Sequence, residues 1–177
     1  MRQRKAKIRR LVTAALAAAL LAILAPWMIP IGTVGITLAT LVLFTVSLTL
    51  PPAVAITACA VYLLLGAVGL PVFAGFVGGF SVFLSPTGGF LIGYLPLTLT
   101  VSLARRVSEK RVVHLAASVF GLILLYAIGS VFYMAVTDAT ALQAVTVSVL
   151  PFILPDLLKL AAAFAIADVI RKRIAHL

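Results

Sequence analysis

Asp156 and Lys159 stand three residues apart inside an apolar run, Pro-Phe-Ile-Leu-Pro-Asp-Leu-Leu-Lys over 151–159. On a helix, positions i and i+3 share a face, so the two side chains can pair. A carboxylate accepts hydrogen bonds from N–H groups and an ammonium donates them, and both are strong where water is scarce. The pair therefore suits recognition of a small polar group. The plain alternative is an internal salt bridge that fixes helix packing, a task that an apolar pair performs as well. With a helix starting near Leu150, its rise puts the pair roughly 9–14 Å below that start. Charge at such a depth in a membrane is costly and points to function.

A second unusual element is the interval Leu70 to Gly93, LPVFAGFVGGFSVFLSPTGGFLIG, which holds six of the chain's 12 glycines (Gly75, Gly78, Gly79, Gly88, Gly89 and Gly93). Such density weakens a regular helix, yet Val72, Phe73, Phe76, Phe80, Phe83 and Leu84 make it too apolar for a hydrated loop. Irregular backbone near a membrane must be buried in protein or line a cavity, because lipid satisfies none of its N–H and C=O groups. The interval reads as a folded, partly re-entrant cap, or else as a plain outer connector with glycines for turns. Tyr62 and Tyr126 can add hydroxyls to a site, or bond between helices.

The elements that must position these residues follow from charge. The chain has 177 residues, is 64% hydrophobic and only 10% charged, and residues 11–104 contain no Asp, Glu, Lys, Arg or His. Membrane residence follows. The net charge of +10 is not a nucleic-acid signature, because thirteen of the 14 basic residues fall into three groups beside apolar runs, Arg2–Arg10, Arg105–Arg111 and Arg171–Arg173. Placing all three in the cytoplasm requires an even number of crossings between them. Pro26, Pro30, Gly32 and Pro51-Pro52 break the long apolar stretch, so four spans precede Arg105 and two follow. The expected fold is an all-α integral membrane protein, a single domain of six transmembrane helices over about 11–29, 36–50, 53–69, 88–104, 112–135 and 150–170. Both termini are cytoplasmic, and the Gly-rich cap lies outside between spans three and four. The alternative, a cleaved signal peptide over residues 1–25, would leave five spans. Trp27 and Tyr133 fall at outer span ends, as amphipathic rings do.

No GxxxxGK[ST], HExxH or GxSxG occurs, so neither ATP hydrolysis nor a common hydrolase mechanism is encoded. Ser85 has no candidate base, His114 and His176 lie beside basic groups, and the lone Cys59 excludes an intrachain disulfide. No enzyme, metal or cofactor is expected.

The words YLLLGAVGLPVFAG (62–75), SPTGGFLIGY (85–94) and PFILPDLLK (151–159), in this order and spacing, resemble the biotin-specific substrate-binding component of energy-coupling factor transporters. One segment departs from it. Family members often read V-P-I-T-L-Q-T, whereas this chain has Val34-Gly35-Ile36-Thr37-Leu38-Ala39-Thr40, without the proline and the glutamine. The resemblance implies a prokaryotic plasma-membrane protein of six helices that captures biotin from outside. It also implies docking on a membrane coupling subunit driven by two ATPase subunits. The small-residue face of the first helix, Ala14, Ala15, Ala18, Ala19 and Ala22, would meet that subunit; packing within the protein is the other reading. A component for another vitamin and a non-transporting assembly subunit are the competing functions.

For biotin, Asp156 is the natural acceptor for ureido N–H groups, while Lys159 holds Asp156 or meets the ureido oxygen or the carboxylate. Phe73, Phe76 and Phe90 would cover the rings, and backbone N–H groups around Thr87, Gly88 and Gly89 would donate to an oxygen. Tyr62, Gly75 and Thr37 complete the expected binding set.

Overall fold

The computed structural model describes residues 2–31 and 34–175, without the side chains of Arg2, Ile174 and Ala175. The described residues form seven α-helices, one hairpin and an irregular segment with a short 3-10 helix. Alanine-rich α1 (Arg2–Leu24) gives way before Pro26 to strand β1 (Met28–Ile31). That strand pairs antiparallel with β2 (Val34–Thr37), Met28 opposite Thr37 and Ile31 opposite Val34. The hairpin replaces the expected end of span one at Ile29 and start of span two at Ile36. Pro26 and Pro30 lack the N–H groups that a continuing helix needs, and the β-branched residues around them suit a pleated ribbon. Gly32, read as a break, lies outside the described residues.

Helix α2 (Ala39–Thr49) ends at the Pro51-Pro52 pair, and Pro52 opens α3 (Pro52–Ala67) at its first turn, where proline's fixed φ is already helical. At 11 and 16 residues both are shorter than the roughly 20 needed to cross a bilayer unaided. Residues 68–87 form the cap, an irregular segment containing a short 3-10 helix, Phe80–Leu84. Gly75 is left-handed at φ +78° and its N–H bonds to the Pro26 carbonyl at 2.9 Å, tying cap to hairpin.

The long helices α4 (Gly88–Val107) and α5 (Arg111–Thr137) form the most extensive helix pair. Glycine permits this approach: a Cβ on Gly93 would lie 2.7 Å from Leu125 Cδ1. A capping box of Thr140 and Gln143 starts α6 (Ala141–Ser148), which bends by 41° into α7 (Leu150–Ala175). Helix α7 packs on α2, and at its far end the Arg171 guanidinium donates to the Leu48 carbonyl at 2.7 Å. The core runs through the centre of the bundle, with Leu21, Leu43, Phe44, Ala58, Leu97 and Ala163 fully buried.

Among the described residues, α4 and α5 are each long and apolar enough to cross a membrane, and the bent pair α6–α7 makes a third such unit if it is one span. Helices α3, α4, α5 and α7 occupy the stretches expected as spans three to six, with α7 continuing five residues past the expected end at 170 and α3 too short to qualify as a span by itself.

Candidate functional site

Asp156, on α7, is buried, and its protein donors come from three helices, α2, α5 and α7 itself. Thr40, near the start of α2, donates its hydroxyl to Oδ1 at 2.8 Å, and Tyr126 on α5 donates to Oδ2 at 2.8 Å. Lys159 Nζ donates to the same Oδ1 at 2.8 Å and to Thr40 Oγ1 at 3.2 Å. The Asp156 and Lys159 side chains are only 5% and 12% exposed, so the ion pair is shielded and its hydrogen bonds are strong. Helix periodicity brings the two charges to one face; the hairpin sets where α2 begins and hence where Thr40 points.

This cluster forms one wall of a cavity that encloses about 730 Å³ of space not filled by atoms, counting its open mouth. Its lining of apolar and aromatic side chains with a few polar groups is that of a small-molecule site. The hairpin contributes Val34, Gly35 and Thr37, α2 Ala39, the cap Phe73, Ala74, Val77, Val82 and Thr87, and the helices Tyr62, Phe90, Leu91, Tyr94, Leu125 and Phe152. Phe73 packs edge-on against both Tyr62 (5.6 Å between centroids) and Phe83 (5.5 Å), and the Tyr62 hydroxyl donates to the Val72 carbonyl at 3.2 Å. The cap is thereby pinned over the cavity by α3.

Of the expected binding set, Asp156, Lys159, Tyr62, Phe73, Thr87, Phe90 and Thr37 line the cavity. Gly75, Phe76, Gly88 and Gly89 do not. Phe76 is 53% exposed, turned outward by a φ of +59°, and stacks edge-on against Trp27 at 5.2 Å. The Gly88 N–H is taken by the Ser85 carbonyl at 2.8 Å, and Gly89 faces Phe132 and the Ile128 carbonyl of α5. Thr87 and Ser85 hydroxyls lie 3.0 Å apart, with Ser85 Oγ also donating to the Val82 carbonyl at 2.7 Å.

On α1, Ala14 and Ala18 are buried inside the bundle, Ala22 is half-buried, and Ala15 and Ala19 remain exposed. His114 is buried, with Nε2 2.7 Å from the Ser108 carbonyl across the α4–α5 connector, and His176 lies outside the described residues. Among the described residues, no group of three His, Cys, Asp or Glu could hold a metal ion.

Sequence reasoning did not find Thr40, Tyr94 or Phe152. Thr40 lies 116 positions from its partner, and one hydroxyl on an apolar helix gives no local signal. The segment that departs from the family pattern is part of the site, since Gly35 and Ala39 both line it.

The family model described as the BioY family matches residues 1–176. The chain is a member of the BioY family. The BioY biotin transporter of Thermotoga maritima is 37% identical over 165 residues, covering 93% of this chain and 97% of that protein. The biotin transporter BioY2 of Lactococcus lactis is 33% identical over 154 residues, 86% and 85% of the two chains, and the probable biotin transporter BioY of Pyrococcus horikoshii is 35% identical over 162 residues, 92% and 96%. A crystal structure of the S-component for biotin from an ECF-type ABC transporter superposes with a TM-score of 0.86 and 27% identity, over 95% of this chain and 93% of that one. This BioY protein therefore has the α-helical membrane fold of that S-component.

Proposed function

We infer that this BioY protein is the biotin-binding S-component of an ECF-type transporter, a non-catalytic subunit that captures the vitamin in the membrane. The near full-length match to the biotin S-component fold carries this reading. The enclosed Asp156–Lys159 cluster supports it chemically. One ureido N–H of biotin meets Asp156, which lines the cavity with an acceptor position left, and Lys159 offers an N–H beside it. Phe73, Phe90, Tyr94 and Phe152 enclose the apolar rings and chain.

The six-span topology with cytoplasmic termini belongs to this proposal. Its support is the three basic groups, whose shared placement in the cytoplasm calls for an even number of crossings between them. The proposed setting is a prokaryotic plasma membrane, and the partners are a coupling subunit and two ATPase subunits. Ala15 and Ala19 form the part of the small-residue face that is open to such a partner.

The decisive experiment is calorimetric titration of the purified protein with biotin. Asp156→Asn exchanges an acceptor oxygen for a donor and leaves Lys159 buried without its counter-charge, so affinity falls at least tenfold. Unchanged affinity in a folded variant would remove Asp156 from the site; a copurifying small molecule other than biotin would redirect the substrate assignment.

A further inference from the structure

A second cavity, which shares no lining residue with the biotin site, lies where α5 and α7 barely touch one another. Its walls are Val112, Leu115, Ala161 and Phe164, and Arg111 stands at its mouth. Val112 and Leu115 are exposed and Phe164 is buried, so the groove is apolar and opens sideways from the bundle. Arg111 is the first residue of α5, a helix able to span a bilayer. It therefore marks a membrane–water boundary, and Leu115 lies roughly one helical turn inward.

The Arg111 side chain is 69% exposed, and its guanidinium bonds Asp168 at 3.1 Å and sits 5.5 Å above the Phe164 ring. These two contacts fix its plane across the mouth while most of its N–H donors stay open. Asp168 offsets part of the charge, and Lys172 and Arg173, one turn along α7, restore the positive field. We propose that the α5–α7 groove is a binding site for one anionic phospholipid, its phosphate on Arg111 and an acyl chain along Leu115, Ala161 and Phe164. A basic residue at the rim of an apolar cleft between membrane helices has the shape and charge of such a site. The groove does not depend on the biotin reading, and its test uses neither biotin nor transport.

Native mass spectrometry of the full chain, delipidated in a neutral detergent, would be run against phosphatidylglycerol and phosphatidylcholine of matched chains. The first bound lipid prefers phosphatidylglycerol at least fivefold. Arg111→Gln abolishes that preference, Ala161→Phe fills the groove and removes the first adduct of either lipid, and Lys5→Gln on distant α1 changes neither. Thermal melting verifies folding; where Ala161→Phe does not fold, Leu115→Trp closes the groove from the α5 side. Equal binding of both lipids by the unmodified protein overturns the site, as does a preference that survives both Arg111→Gln and groove filling. Competition by glycerol phosphate at concentrations comparable to the lipid would mean that no chain is bound, and overturns it too.

Discussion

Asp156 accepts three hydrogen bonds from the protein, two on Oδ1 and one on Oδ2. A carboxylate offers about four acceptor positions, so about one remains for a ligand, on the oxygen that Tyr126 also holds. Tyr126 thus fixes the direction of the remaining lone pair. Tyr126→Phe keeps the ring and removes the donor, and biotin affinity measured by calorimetry drops about tenfold, the worth of one charge-assisted bond. The same change made on top of Asp156→Asn costs little, because its effect passes through the carboxylate. Equal losses in both backgrounds would show instead that the phenol acts on the ligand directly. At this scale the sequence was half legible. Two charges in an apolar run identify themselves, and the Tyr126 hydroxyl was open to either of two roles, whereas Thr40 is an ordinary residue until the fold brings three helices together.

Among the elements, the glycines were legible by density and misread by role. Gly75 does serve a left-handed turn of the cap, but Gly88 packs against the Phe83 backbone and Gly89 against Phe132 and the Ile128 carbonyl, and neither lines the cavity. Helix contact and irregular loop draw on the same residue type, since both need the absent Cβ. Gly93 tests the packing role: its added Cβ would lie 2.7 Å from Leu125 Cδ1 and 3.3 Å from Leu125 Cα, so a larger residue must force α4 from α5. Gly93→Leu destabilises the protein by about 1–3 kcal/mol, seen as a lower melting temperature in detergent. An unaltered melting curve would contradict this close approach. The hairpin was not legible because four-residue strands with apolar side chains on both faces show no alternation. Helices α3, α4, α5 and α7 were, because long apolar runs bounded by proline or charge have few other physical readings.

For the whole molecule, the proposed orientation rests on charge, and the fold adds where each connector lies. Glu109, between α4 and α5, and Asp138, capping the end of α5, are both exposed and lie at opposite ends of one long helix. With Cys59 replaced by Ala, Asp138→Cys reacts with a membrane-impermeant thiol reagent in intact cells, and Glu109→Cys reacts only after permeabilisation. The reverse pattern would invert the topology. The seam between hairpin and cap has a different kind of consequence. Its edge-on ring pair includes Trp27, the single tryptophan of the chain, 61% exposed and adjoining the Gly75–Pro26 bond. All indole emission from the protein therefore originates at one joint, beside the two segments that roof the cavity. The unlabelled chain carries its own optical gauge, and the colour of its fluorescence reports the polarity at the rim of that roof.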